Sequence, residues 1–249
     1  MTVVMPPMTA AQEQAWLTLF QLTACLGRSW CLVGGQMVHL YCAERGFTPN
    51  RPTEDADAVL DIRAQPNILA QFTQALIDLG WATAGESPDG HQHRWAKPVA
   101  HVATESSAQI DVLIPTNVGA RAAGRRGATA GTTVQTPGGQ QALDRAELVT
   151  VDVAGTVGEV PRPNLAGALV IKAAAYRNRL DQHRDRHLTD FSVLAAMVQR
   201  SDNLPTTLRR RDLDHLRPAL TDLRRRPELT AAVPGADRGM DVLARIVGL

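Results

Sequence analysis

Two aspartates separated by one residue are the strongest chemical signal in this chain. Asp55 and Asp57 open an apolar stretch that runs to Ile62, which is typical of a buried strand. Side chains two positions apart on a strand point to the same face, roughly 6.6 Å apart at ~3.3 Å rise per residue. Paired carboxylates suit Mg²⁺, which keeps several waters and takes further ligands from substrate phosphates. The pair therefore predicts a magnesium site for a phosphate-bearing substrate.

A double glycine precedes the aspartates and predicts a place for the phosphate itself. Gly34 and Gly35 follow a short apolar strand and are followed by an apolar periodic segment that is typical of a helix. Glycine lets the backbone approach a bulky anion, and the start of a helix offers unpaired N–H groups and a positive dipole end. The alternative is an ordinary strand-to-helix turn, with the acids on a solvated edge.

This arrangement resembles the nucleotidyltransferase superfamily of the DNA polymerase beta type. The superfamily signature is a strand, Gly-Gly or Gly-Ser, a helix, and Asp-x-Asp on the next strand. The form found here, Leu-Val-Gly-Gly followed by Arg51-x-Thr53-x-Asp55-x-Asp57, is most similar to the AbiEii/MenT branch. The resemblance implies an α+β fold with a mixed sheet and flanking helices. We expect a nucleotidyltransferase core domain over residues 1–160 and a C-terminal helical domain over 161–249 that completes the active site.

The resemblance also implies site residues outside the signature. A third metal-binding carboxylate comes from a neighbouring strand in the superfamily, and Asp111, within the alternating segment 108–114, is the candidate. A lysine, an arginine and an aspartate on two successive helices match Lys172, Arg177 and Asp190. Asp185 is the alternative aspartate, and a surface ion-pair network is the alternative explanation for the group. Lys172 is one of only two lysines in the chain, which favours a specific need for an ammonium group.

The implied reaction is Mg²⁺-dependent transfer of a nucleoside monophosphate from an NTP to an acceptor hydroxyl, with release of pyrophosphate. In this reaction Lys172 would neutralise the triphosphate, and Asp190 would orient Lys172 or accept the acceptor's proton. Thr53 is also a candidate for regulatory modification. The residues expected to act in catalysis are Asp55, Asp57, Lys172 and Asp190. The residues expected to bind the nucleotide are Gly34, Gly35, Arg51, Thr53 and Arg177. The expected metal ligands are Asp55, Asp57 and Asp111.

By the same resemblance the acceptor is the 3′ end of a tRNA, and the protein is a translation-blocking toxin with a cognate antitoxin partner. Clustered arginines fit a polyanionic acceptor, although a GC-rich genome would also place arginine on solvated faces. One alternative is a nucleotidyltransferase that modifies an antibiotic hydroxyl. The other is an NTP- or RNA-binding module without activity. The arginine clusters are 121/125/126, 177/179/184/186, 209–211 and 224–226.

Composition favours a cytoplasmic globular protein. The 249 residues are 44% hydrophobic, without an apolar run of ~18 residues or a signal-peptide pattern. Three cysteines without C-x-x-C spacing argue against a disulfide framework or a zinc site, and are expected to be buried. Periodicity predicts helices over 9–26, 66–79 and 165–180, a further helix near 188–198, and a hairpin over 148–160. Residues 116–146 are predicted to be a loop with a short helix near 140–143, and residues 87–90 a turn.

Overall fold

The fold is α+β, built from two mixed sheets with helices packed around them. The computed structural model describes residues 1–87, 89–99, 106–179 and 181–249. The strands are β1 (Thr2–Val4), β2 (Trp30–Val33), β3 (Asp55–Leu60), β4 (Ala82–Thr83), β5 (Arg94–Val99), β6 (Ser106–Pro115), β7 (Val134–Thr136), β8 (Ala146–Val153) and β9 (Thr156–Pro163). The helices are α1 (Ala10–Leu26), α2 (Gly34–Arg45), α3 (Ile68–Asp78), α4 (Ala120–Ala123), α5 (Gly139–Leu143), α6 (Leu165–Tyr176), α7 (Asp185–Ala196), α8 (Leu204–Thr207), α9 (Arg210–Arg224) and α10 (Ala236–Val247).

The larger sheet carries the candidate site on its central strands. Its order is β2-β3-β6-β5-β4, and β7 adds to β6. Strand β3 runs antiparallel to β2 and parallel to β6, in a register that pairs Asp57 with Asp111. Strand β5 runs antiparallel to β6 and places Arg94 opposite Asp111. One row across three strands therefore holds two acids and one arginine.

The local signals that start and stop α1 are the ones expected from the sequence. Thr9 forms a capping box with Gln12, in which the Thr9 side chain accepts from the Gln12 backbone N–H and the Gln12 side chain accepts from the Thr9 N–H. Gly27 follows the helix with a positive φ of 59°. Helix α2 differs from its prediction, because it includes Gly34 and Gly35 as its first turn instead of starting after them.

The core lies between the larger sheet, α1, α2 and α6. Its largest fully buried side chains include Trp16, Trp30, Trp95 and Phe72. The Trp16 indole Nε1 donates to Gln36 Oε1 at 3.1 Å, so this buried N–H is satisfied. Helix α6 is buried on nearly all sides, which its almost uniformly apolar sequence dictates.

Buried ion pairs connect the C-terminal helices to the rest of the chain. Arg145 pairs with Asp212 at the start of α9, and Arg45 at the end of α2 pairs with Asp202 at 2.6 Å. Within the described ranges, no helix is long and apolar enough to cross a membrane.

Several predicted elements need correction. The predicted loop 116–146 contains α4, β7 and the expected short helix α5, and β1 was not predicted. The helix predicted to reach residue 180 ends at Tyr176, and Leu180 lies outside the described residues, as does Pro88 of the predicted turn. Cys31 and Cys42 are buried as expected, but Cys25 is exposed. A three-residue strand such as β7 is too short for periodicity to reveal, since only pairing with β6 defines it.

Candidate active site

Three carboxylates converge at the centre of the larger sheet and form what we call the carboxylate cluster: Asp55, Asp57 and Asp111. One oxygen from each can be chosen so that all lie within 4.8 Å of one another. The parallel pairing of β3 with β6 makes Asp57 and Asp111 direct cross-strand neighbours, and Asp55 lies two positions along the same face. Three hard oxygen donors at this spacing fit Mg²⁺.

The two glycines are required by the side chains of the site itself. Gly34 has a φ of +68°, and a Cβ at this position would overlap the Asp57 carboxylate oxygen Oδ2. A Cβ on Gly35 would overlap the Thr53 hydroxyl oxygen Oγ1. The first turn of α2 therefore lies directly against the carboxylate cluster, and its N-cap residue, Val33, makes no side-chain hydrogen bond to the N–H groups of that turn.

The three carboxylates differ in how many hydrogen bonds they accept. Asp111 accepts from Arg94 Nε at 3.1 Å, from Arg94 Nη2 at 3.0 Å and from Gln109 Nε2 at 3.2 Å. Asp55 accepts from the Thr53 hydroxyl at 3.0 Å. Across the part of the chain that the structure describes, no group donates to Asp57. Burial, followed by repulsion from Asp55 and Asp111, raises the pKa of Asp57 to about 7.

A second charged group, the Lys172 cluster, is built from Arg51, Lys172 and Asp190. Asp190 accepts from Arg51 Nε and Nη2, both at 2.8 Å, and from Lys172 Nζ at 2.6 Å. Asp190 is 2% exposed and Lys172 is 3% exposed. Burial opposes ionisation of Asp190, but Lys172 and Arg51 outweigh it and hold the pKa of this carboxyl below its usual value.

The structure distinguishes between the two candidate aspartates of α7. Asp190 contacts Lys172, whereas Asp185 forms a two-pronged ion pair with Arg226 at 2.7 Å and is half exposed. The structure also places Arg177 away from the site. Its Nη1 donates to the Asp214 carbonyl oxygen at 2.9 Å, so Arg177 points towards α9, while Arg51 occupies the position beside Lys172.

A cavity of about 310 Å³ joins the carboxylate cluster to Arg51 and Lys172. Many residues that line this cavity were not predicted from the sequence. Arg94 comes from β5 and His93 directly precedes that strand, Gln135 and Thr136 come from β7, and the loop before α7 contributes Asp181. No local pattern marks these residues, because they reach the cavity only through strand pairing and loop packing. Arg186 and His187 also line the cavity.

Asp181 organises the loop before α7. It accepts from the backbone N–H of His183 at 2.8 Å, and it pairs with Arg186 at 3.3 Å. His187 Nε2 lies 3.0 Å from its carboxylate, which makes Nε2 the protonated ring nitrogen. Burial, followed by the charges of Lys172 and Arg186, lowers the pKa of His187 to about 4, so this imidazole is neutral at pH 7.

Comparison with known proteins identifies the fold. No protein-family model and no curated protein matches the chain. Among solved structures, the chain is similar to the crystal structure of an antigenic nucleotidyltransferase-like protein from Paracoccidioides brasiliensis, at 17% identity and a TM-score of 0.54. The match covers 91% of this chain and 94% of that chain. The fold is therefore nucleotidyltransferase-like, as the Gly-Gly and Asp-x-Asp pattern predicted, while the AbiEii/MenT branch stays a prediction.

Proposed function

We propose that this protein is a magnesium-dependent nucleotidyltransferase, which moves a nucleoside monophosphate from an NTP to an acceptor hydroxyl. The observation that carries the proposal is one cavity that joins three carboxylates, the uncapped start of α2 and Lys172. Hard oxygen ligands, backbone N–H donors and an ammonium group together match a metal-bound triphosphate. The nucleotidyltransferase-like fold supports the same chemistry by analogy.

Each group has a role that follows from its surroundings. Asp55, Asp57 and Asp111 would hold Mg²⁺, which supplies charge neutralisation at the triphosphate and lowers the pKa of the acceptor hydroxyl. The N–H groups of Gly34 and Gly35, in the first turn of α2, would be available to the phosphates. Thr53 donates to Asp55 and so fixes the orientation of that carboxylate.

Lys172 and Arg51 provide positive charge for the triphosphate, and Asp190 holds both in place. Asp190 already accepts three hydrogen bonds, and its lowered pKa makes it a poor proton acceptor. We therefore assign it the orienting role rather than the role of general base. Such fixed charges stabilise a transition state without reorganising during the reaction.

The chemical step is an in-line displacement at the α-phosphorus. The acceptor oxygen forms the new P–O bond, the bond from the α-phosphorus to the bridging oxygen breaks, and pyrophosphate leaves with that electron pair. The acceptor's proton passes to a carboxylate oxygen of the carboxylate cluster. Positioning and charge stabilisation account for catalysis of this type.

For the acceptor we propose an RNA, with the 3′ end of tRNA as the specific expectation from the AbiEii/MenT resemblance. Arg94 and Arg186 line the cavity with side chains that are 45% and 49% exposed, so both can meet a polyanion at its mouth. In this proposal the protein acts in the cytoplasm as the toxin of a bacterial toxin–antitoxin system, and a cognate antitoxin protein restrains it.

Incubation with each radiolabelled NTP, Mg²⁺ and total tRNA tests the acceptor. The wild type is compared with Asp55→Ala and with Glu54→Gln, which changes an adjacent exposed acid outside the cluster. We expect label in RNA with the wild type and Glu54→Gln, and none with Asp55→Ala. Label in the protein or in an added antibiotic, with none in RNA, would contradict the tRNA proposal. Equal labelling of RNA by Asp55→Ala would contradict the proposed site.

A further inference from the structure

The carboxylate cluster contains its own competing cation. Arg94 lies opposite Asp111 in the β5–β6 register, and its Nε and Nη2 donate to the two separate oxygens of that carboxylate. Gln109 adds a third donor to Oδ1. In this bidentate geometry the two N–H donors of a guanidinium match the two oxygens of a carboxylate. Arg94 therefore holds the Asp111 carboxylate, which is the third expected metal ligand.

A divalent cation at Asp111 would meet this guanidinium as a like charge. Asp111 lies within 4.8 Å of the other cluster oxygens, and Arg94 contacts it at about 3 Å. A divalent cation and a guanidinium on the same carboxylate repel each other strongly at this short range, so both cannot hold Asp111 at once. By contrast, Asp57 has no donor within the described ranges and stands free to take a metal.

Arg94 is the more exposed partner in this pair. Its side chain is 45% exposed, whereas that of Asp111 is 10% exposed. Among the described residues, the only hydrogen-bond or ion-pair partner of the Arg94 side chain is Asp111. An exposed arginine that leaves a single partner regains hydration, so its release costs little. Lys172, at 3% exposure and held by Asp190, has no such freedom.

We propose that Arg94 is a positioning residue that neutralises Asp111 in the metal-free protein and competes with a divalent cation for it. Asp55 and Asp57 would be available to the metal first, and Asp111 would become available only when Arg94 turns away. Metal binding at the complete site would thereby be weakened until the substrate triphosphate adds its own oxygen ligands to the metal. This inference rests on the proposed metal site, but not on the identity of the acceptor.

A metal titration tests the competition without any activity measurement. Mn²⁺ binding is followed by electron paramagnetic resonance for the wild type, Arg94→Gln and Arg186→Gln. Arg186 is a matched control, because it is similarly exposed, lines the same cavity and pairs with Asp181 instead of Asp111. We expect the Mn²⁺ dissociation constant to fall about tenfold in Arg94→Gln and less than about twofold in Arg186→Gln.

Arg94→Lys refines the test and guards against misfolding of the Gln variant. A single ammonium keeps the charge but cannot bridge both carboxylate oxygens, so we expect a gain in Mn²⁺ affinity of about twofold to threefold. If the wild type binds Mn²⁺ but Arg94→Gln binds it equally or more weakly, the proposed role of Arg94 is overturned and the proposed metal site is not. Absence of Mn²⁺ binding in all variants would overturn the proposed metal site, and this inference with it.

Discussion

The carboxylate cluster and the Lys172 cluster share one cavity but use charge in opposite ways. The carboxylate cluster brings together three acids with one arginine, and Asp57 accepts no hydrogen bond from the described residues. The Lys172 cluster surrounds one acid with two cations, and Asp190 accepts three short hydrogen bonds. Accordingly, the pKa of Asp57 is raised to about 7, while that of Asp190 is lowered.

This difference distinguishes a cluster with an unsatisfied carboxylate, which a ligand can stabilise, from a cluster whose carboxylate is fully hydrogen-bonded. Acids crowded together without donors destabilise the folded chain, and such strain is retained where a ligand relieves it. A buried acid that two cations satisfy is rigid and holds those cations at fixed positions. We therefore assign ligand binding to the carboxylate cluster and positioning to the Lys172 cluster.

The largest effect on stability should come from exchanging the acid in the Lys172 cluster. Asp190→Asn leaves the buried Lys172 and the partly buried Arg51 without a counter-charge, and we expect a loss of about 3–5 kcal/mol in the free energy of unfolding. The matched change Asp57→Asn removes repulsion and should leave stability equal or higher. Urea denaturation of both metal-free variants provides the measurement. A greater loss in Asp57→Asn than in Asp190→Asn would contradict the comparison.

Measuring stability against pH tests the environment of His187, which lies near the positive charges of Lys172 and Arg186. Its folded pKa of about 4 lies below the ordinary 6.5, so the unfolded chain binds the proton more tightly than the folded chain. The stability that the neutral ring provides is therefore present above pH 6.5 and is lost as the pH falls towards 4. At pH 5 we expect the wild type to lose about 2 kcal/mol relative to His187→Gln, with pH 7.5 as reference. Parallel stability curves from pH 7.5 to 5 would show that the ring is not held neutral.

The smallest expected effect is the stabilisation of the protein by the metal itself. Mg²⁺ at ten times its dissociation constant should raise the free energy of unfolding of the wild type by about 1.4 kcal/mol. Asp57→Asn should show little of this gain, because the cluster has lost the one carboxylate to which none of the described residues donates a hydrogen bond. Thermal melts with and without Mg²⁺, with Ca²⁺ as a comparison ion, provide the measurement. Equal stabilisation of both proteins would place the metal elsewhere.

The sequence predicts the half of the site that local patterns encode. Gly34-Gly35 and the Asp-x-Asp pair lie within one strand–helix–strand unit, and their spacing alone indicates a shared face. Asp111 was predicted only with the help of the superfamily resemblance, which implies a third carboxylate on a neighbouring strand. The similarity to a nucleotidyltransferase-like structure confirms the expected class of fold.

The rest of the site depends on register and packing, which the sequence does not display. Arg94 faces Asp111 only because β5 pairs with β6 in one particular register, and a slip of one residue would direct it to the other face. The family resemblance predicted both Arg177 and Arg51 as nucleotide-binding residues. The Arg177 guanidinium contacts α9, whereas Arg51, from a distant loop, lies beside Lys172 and pairs with Asp190. Whether Thr53 is modified stays a prediction.

The most direct test of nucleotidyl transfer at the carboxylate cluster follows the two ends of the triphosphate separately. The wild type and Asp57→Asn are incubated with Mg²⁺ and acceptor RNA, with the same NTP labelled at either the α- or the γ-phosphorus. We predict that the wild type moves α-label into the acceptor and releases γ-label as pyrophosphate, and that Asp57→Asn loses both activities by at least about 10³-fold. Transfer of γ-label, release of γ-label as inorganic phosphate, or undiminished α-label transfer by Asp57→Asn would contradict the account.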